Sequence, residues 1–196
     1  MSTIGILIGS NRPKGNGVGL TVWTTSLLTT SATALLSPPS FVALEPYSSL
    51  PPLSSPIIPQ AVKRPSKYDS LATQSWSDQV SACTSILIVT PQYNWGIPGV
   101  LKNAVDHLFW EWKGKNVFLV TYGGHGGGRC ASHLRDVLGG GLDMNVIGGV
   151  EITLPKEYIR GERRVGDGNG DEFLKEYEER VSQALGKLLE KSMAAL

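Results

Sequence analysis

Apolar residues gather along this chain in five short runs: IGILIG (4–9), FVALE (41–45), SILIVT (85–90), NVFLVT (116–121) and NVIGGVEIT (145–153). The first, third and fourth are almost continuously apolar, the pattern of strands covered on both faces in a parallel sheet. Between the runs the hydrophobic period lengthens. Val18 to Leu36 is rich in Leu, Ala, Val and Thr with a modest helical phase, and Tyr68 to Cys83 sets Leu71, Trp76, Val80 and Cys83 near helical spacing. Ile97 to Trp110 gathers Val100, Leu101, Ala104, Val105, Leu108 and Phe109 on one stripe, with Lys102 and Asp106 four apart on another face. Ala131 to Leu138 reads as a shorter helix stopped by Gly139-Gly140-Gly141. Asp171 to Met193 is the longest, burying Phe173, Leu174, Tyr177, Val181, Leu185, Leu188 and Leu189.

Strands alternating with helices predict an α/β fold, a three-layer sandwich around a parallel sheet. Two stretches fit no element. SSLPPLSSPIIPQAVKRPSK (48–67) carries much of the proline and predicts an extended loop, and RGERRVGDGNGD (160–171) predicts a polar connector. Both are too short and too poor in apolar residues to fold alone, and no internal repeat is present, so residues 1–196 are expected to form one domain.

Composition narrows the functional classes. With 41% hydrophobic and 18% charged residues the chain is of ordinary globular type, and a formal net charge of +1 gives no electrostatic reason to expect nucleic acid or an anionic membrane as partner. Arg160, Arg163 and Arg164 are interleaved with Glu157 and Glu162, which reads as a solvated surface. The opening residues MSTIGILIGSNR have no basic region before the apolar run and read as a first strand. No uncharged stretch approaches the ~20 residues that span a bilayer. A cytoplasmic location is the expectation. Cys83 and Cys130 form no C-x-x-C pair and read as small buried apolar side chains, a reactive thiol at Cys130 being the alternative. His107, His125 and His133 share no metal-ligand spacing.

Three of the apolar runs end in unusual loops, and in an open parallel sheet ligands bind beyond the carboxyl ends of the strands. GSNRPKGNGVG (9–19) combines Gly9, Gly15 and Gly17 with Ser10, Arg12 and Asn16 just before a helix, a combination suited to a phosphate; a plain Gly/Pro turn is the alternative. It matches neither G-x-x-x-x-G-K-[ST] nor a strict G-x-G-x-x-G. TPQYNWGIPG (90–99) offers the amides of Gln92 and Asn94 and the rings of Tyr93 and Trp95 around a turn shaped by Pro91 and Gly96. These suit a planar polar guest, or the aromatics simply plug helix against sheet. TYGGHGGGR (121–129) has glycines enough for its main chain to lie against a flat ligand. His125-Gly126-Gly127-Gly128 matches an esterase oxyanion motif, but no G-x-S-x-G elbow accompanies it.

GSNR, TPQYNWGIPGVLKNAVDHL, EWKGK (111–115) and YGGHGG together resemble the NADPH-dependent FMN reductase family, from residue 4 to about 155. The most specific element is P-[EQ]-Y-N followed by P-x-x-L-K-N-x-x-D. The resemblance implies a flavodoxin-like fold with strand order 2-1-3-4-5, bound FMN, and NAD(P)H as co-substrate. Ser10, Arg12, Asn16, Gly17 and Val18 would then hold the phosphate. Pro91, Gln92, Tyr93, Asn94 and Trp95 would contact the ribityl chain and ring, and Tyr122, Gly123, Gly124, His125, Gly126 and Gly127 would line the pyrimidine end, with main-chain N–H groups facing it. Pro13-Lys14-Gly15-Asn16 stands where the family often has a second basic or serine residue.

The resemblance also implies a homodimer or homotetramer, and Phe109, Trp110 and Trp112 suit a subunit interface. It implies hydride passed from NAD(P)H through FMN to quinones or similar small acceptors, with no catalytic side chain required. An FMN electron carrier docking on protein partners is the alternative activity, disfavoured by the near-neutral charge. A flavodoxin-like binding protein with a vacant site is a third.

Overall fold

The computed structural model describes every residue except Met1, Ala34, Leu36, Tyr47, Ser48, Asn169, Ala195 and Leu196. The expected end of the first helix at Leu36, and Ser48 and Asn169 within the two expected loops, therefore lie outside the described residues. The strands are β1 (Thr3–Ile8), β2 (Ser40–Leu44), β3 (Ser85–Pro91), β4 (Asn116–Gly123) and β5 (Asn145–Thr153). They pair in parallel in the order β2-β1-β3-β4-β5, the flavodoxin-like order.

Alternation along the central strands builds two cores. Leu87 and Val89 of β3 and Phe118, Val120 and Tyr122 of β4 face one side; Ile86, Ile88, Val117 and Leu119 face the other. The first side is covered by α1 (Asn16–Ala32) and α6 (Lys175–Met193), the second by α2 (Leu71–Ser81), α3 (Gly99–Asp106) and α4 (Gly128–Arg135). Strand β3 is buried along its whole length, which is why its sequence runs apolar without alternation. No helix among the described residues is long and apolar enough to cross a membrane.

Several boundaries differ from the sequence expectation for identifiable reasons. Helix α1 begins at Asn16, not Val18, because Gly15 is extended (φ −87°, ψ 164°) and the turn closes immediately after it. Helix α2 begins at Leu71, where the Ser70 hydroxyl accepts the Thr73 N–H at 3.0 Å. Helix α3 stops at Asp106 instead of Trp110. Trp76 donates its indole N–H to the Ala104 carbonyl at 2.8 Å and Trp112 to that of Val105 at 3.1 Å. Carbonyls of the last turn are thus satisfied from the side, and the chain turns inward. Helix α4 does not stop at the glycine triplet but widens into π-helical turns over Asp136–Gly141. A short helix, α5 (Lys156–Ile159), was not anticipated.

The three aromatics after α3 do not share one surface, and at Trp112 this corrects their reading as a subunit interface. Trp112 is fully buried, edge-on to Trp76 with centroids 5.8 Å apart. Trp110 donates to the Gln60 carbonyl at 3.0 Å and carries the Lys63 ammonium 3.4 Å from its ring centroid. Phe109 packs half-buried against that ring. The proline-rich segment they touch holds two 3₁₀ turns, Pro59–Ala61 and Pro65–Lys67, and is strapped to α3. Asn103 accepts from Leu53 N–H at 2.9 Å and donates to the Pro51 carbonyl at 3.0 Å.

Both cysteines are buried and free. Burial pushes the Cys130 thiol up to about 12 and raises that of Cys83, so neither is a reactive thiolate near neutral pH.

Buried Glu111 joins α2 to the turn after α3. Its carboxylate accepts from the Ser77 hydroxyl at 2.5 Å and the Tyr68 phenol at 3.0 Å. Burial first, then this carboxylate, holds the Tyr68 phenol well above its ordinary range. Glu111→Ala leaves two hydroxyls unsatisfied and is expected to lower unfolding free energy by about 2–4 kcal/mol in urea titration at unchanged m-value. A loss below about 1 kcal/mol would show the network to be energetically idle.

Candidate functional site

The site begins where β1 and β3 end side by side. Their register runs from Ile4↔Ser85 to Ile8↔Val89 and is extended by a 2.7 Å bond from Gly9 N–H to the Val89 carbonyl. The loops leaving these strands therefore touch. The Ser10 hydroxyl lies 2.8 Å from the Tyr93 phenol oxygen, and the Arg12 guanidinium carbon is 4.7 Å from the Tyr93 ring centroid. Together with the β4 loop and residues 154–164 they enclose a cavity of about 510 Å³. Arg12, Lys14 and Arg164 line it, and among the described residues no aspartate or glutamate does. Helix α1 opens at its edge with no acidic residue in the first turn, so its unpaired N–H groups add to the positive potential.

The expected phosphate-loop residues divide by which of their atoms are available. Ser10 and Arg12 present side chains to the cavity. Asn16 does not: its amide donates to the Tyr158 carbonyl at 2.8 Å and accepts the Val165 N–H at 3.0 Å. A ligand meets only its main chain. Gly17 is buried in the first turn of α1, above the Tyr122 hydroxyl, which a Cβ would approach to 2.7 Å. The Val18 side chain is half-exposed and lines an outer depression, leaving its N–H as the contributing group.

In the second loop, Pro91 ends β3 opposite Tyr122. The Gln92 side-chain Oε1 accepts from Arg129 N–H (3.0 Å) and Cys130 N–H (3.2 Å), capping α4, while its Nε2 group donates to nothing among the described residues. Residues Tyr93 to Gly96 form a tight turn closed in both directions at 3.1 and 2.9 Å. Its central residues Asn94 and Trp95 have φ of +46° and +66°. This left-handed pair costs backbone energy at Trp95, a residue with no preference for it. Neither lines the cavity. Exposed Trp95 stacks on His125 (5.8 Å, 8° between planes) beneath Arg129, on the same loops as the lining residues Tyr93 and Gly124. Trp95 therefore does not plug helix against sheet.

In the third loop Gly123 and Gly124 line the cavity, and Tyr122 lines it too, with its hydroxyl beneath Gly17 of the first loop. Gly126 and Gly127 turn the chain into α4, both at φ +75°. The expectation of unpaired N–H groups aimed at a ligand does not hold at Gly126, whose N–H goes to the Gly123 carbonyl at 3.2 Å. Burial raises the Tyr122 phenol above its ordinary range, which keeps it neutral.

Sequence reasoning missed residues 154–164. Leu154, Tyr158, Ile159 and Arg164 all line the cavity, and Arg164 corrects the reading of the arginine cluster as a solvated face. The available signal was Val165, one apolar residue in a polar connector, which is buried against α1. A larger groove of about 870 Å³ runs between α1 and the β2 edge, but among the described residues its lining holds no cation and its one carboxylate is Glu45, which does not suit an anion. Among the described residues no His, Cys, Asp and Glu cluster could hold a metal ion.

Fold and site together define a flavodoxin-like α/β protein with a cation-lined cavity where the strand order reverses. The chain belongs to the NADPH-dependent FMN reductase family, whose model matches residues 2–158. It is 52% identical over 99 residues to an NAD(P)H-dependent FMN reductase of Saccharomyces cerevisiae, a match covering 50% of this chain and 51% of that protein. The match thus spans about half the length of the yeast relative. A quinone reductase of Escherichia coli is 32% identical over 138 residues, 67% of this chain and 66% of the other. Among solved structures, an oxidoreductase from Corynebacterium diphtheriae superposes with a TM-score of 0.67 at 14% identity, covering 99% of this chain and 98% of that one, a likeness of fold.

Adjacent glycines in the third loop separate backbone need from habit. A Cβ at Gly127 would lie 2.7 Å from Tyr122 N at φ +75°, whereas at Gly128 it would meet nothing within 4 Å. Gly127→Ala is expected to lose about 2–4 kcal/mol. Gly128→Ala should gain about 0.5–1 kcal/mol by helix propensity. Thermal and urea unfolding of the pair check this, and equal effects would refute it.

Proposed function

We propose that the chain is an FMN-dependent NAD(P)H oxidoreductase that passes reducing equivalents, in ping-pong order, to quinones or similar small acceptors. The observation that carries this reading is the cavity at the head of α1, lined by three cations and no acid, with Gln92, Tyr93 and two glycines as flat or polar walls. Its residues fit FMN chemically. A phosphate monoester carries close to two negative charges at neutral pH, which guanidinium, ammonium and helix N-terminal N–H groups neutralise. The cavity also falls within the usual size range of cofactor sites. Family membership supports the cofactor, and the names of the yeast and E. coli relatives support the nicotinamide donor and the quinone acceptor.

FMN, when bound, supplies the hydride chemistry; the protein binds and orients it. Ser10 and Arg12 hold the phosphate with the N–H groups of Asn16, Gly17 and Val18. The Gln92 Nε2 group and the main chain at Gly123 and Gly124 meet polar edges of the cofactor. Trp95 and His125, stacked outside the cavity, form a flat platform for the exposed side of the site. No side chain is assigned to proton transfer. The chain acts as one domain in the cytoplasm, as a homodimer or homotetramer. These assignments follow the family resemblance, and light scattering on the purified protein tests the assembly.

The purified protein should be yellow and should oxidise NADPH steadily when a benzoquinone is added. Arg12→Ala is expected to weaken FMN binding about 10- to 100-fold in a fluorescence titration, as for a lost charge-assisted hydrogen bond. A colourless wild-type chain that takes up no FMN would exclude the reading.

A further inference from the structure

Arg164 lies beyond the segment that matches the family model, which ends at residue 158, yet its side chain lines the cavity beside Arg12 and Lys14. Resting on the FMN reading above, we propose that Arg164 is a second phosphate-recognition residue, delivered to the cofactor's dianion by the connector between β5 and α6. The connector is thereby a clasp over the phosphate loop.

The clasp is fastened to the loop at several points. The Asn16 amide ties down both ends of it, through the Tyr158 carbonyl and the Val165 N–H. Val165 presses its carbonyl against Gly19, where a Cβ would lie 1.8 Å from the oxygen, so that helix position admits glycine alone. Asp171 closes the segment on itself, accepting from the Tyr158 phenol and from Gly166 N–H, each at 2.8 Å. Between these anchors Arg164 donates Nε–H to the Lys14 carbonyl at 3.2 Å and Nη1–H to the Gly161 carbonyl at 2.9 Å and the Arg163 carbonyl at 2.5 Å.

That geometry orients the guanidinium without neutralising it. All its partners are carbonyls, and among the described residues it forms no ion pair and its Nη2 group has no acceptor. The guanidinium is half-buried; Asp167, which accepts the Arg164 main-chain N–H at 3.2 Å, and Asp171 line the adjoining depression instead of the cavity, so toward the cavity Arg164, Arg12 and Lys14 present only positive charge among the described lining residues. The free Nη2 donors and the remaining lone-pair demand of a phosphate match in kind. Asn16 then has a positioning role: it places the clasp, and its own side chain does not touch the ligand.

Parallel titrations of the full chain with FMN and with riboflavin, which lacks the phosphate, test the assignment. Arg164→Ala is expected to reduce the preference for FMN over riboflavin by about 10- to 100-fold while riboflavin affinity stays within about 2-fold. Arg164→Lys should restore part of that preference. Arg160→Ala, an exposed change on the same connector, should leave it intact. Equal weakening of both flavins in Arg164→Ala, or none in either, would overturn the proposal, since the side chain would then only shape the loop. An intact FMN preference with a lost NADPH-over-NADH preference would also overturn it and move the guanidinium to a nicotinamide phosphate. Wild-type protein that binds neither flavin removes the FMN reading itself, an outcome distinct from failure of Arg164 alone.

Discussion

The site depends on one constraint, the parallel pairing of β1 with β3 although they are not consecutive strands. Because β2 takes the outer position, the loops after β1 and β3 leave the sheet together with no strand between them. The 2.7 Å bond from Gly9 N–H to the Val89 carbonyl carries that pairing one residue beyond the strand. From it follow the Ser10–Tyr93 contact, the placement of Arg12 over the Tyr93 ring, and the opening of α1 at the cavity's edge. A crevice at such a reversal needs no special device, since the backbone topology leaves it open.

What the topology leaves open, the rest of the chain fits out with polar groups that have other partners. Gln92 caps α4 with its side-chain oxygen, and its amide N–H₂ has no acceptor among the described residues. Tyr122 supports Gly17 from below as a neutral phenol. Asn16 spends both amide functions on the connector. Rigidity in these residues sets the positions of the few groups that face the cavity, which is how a small site holds a cofactor in one orientation. Positive charge is the exception. Arg12, Lys14 and Arg164 line the cavity with no acidic residue among its described lining, which gives it a positive potential.

Much of the architecture was legible in the sequence because burial imposes a period. The five apolar runs became the five strands within about one residue at most ends, and the continuous run in β3 correctly signalled cover on both faces. Helix ends were read less well. The stop of α3 at Asp106 depends on indole donors from Trp76 and Trp112, the first 28 residues from the carbonyl it bonds, which no local pattern carries. For the same reason Phe109, Trp110 and Trp112 looked like one surface and proved to serve a strap, its clamp and the core.

In the site, the sequence by itself determined which residue types stand at the strand ends: glycines, a serine, an arginine, amides and aromatics in three loops, together with the family resemblance they carry. It could do so because each loop is contiguous and its chemistry is local. Only the tertiary structure decided which atoms of those residues remain available, since Asn16 and Gln92 have groups committed to partners elsewhere in the chain. It alone also brought Arg164 to the cavity. That arginine lies 150 positions from Lys14, whose carbonyl it bonds, and hydrogen bonds at such separation leave no periodic trace in the order of residues.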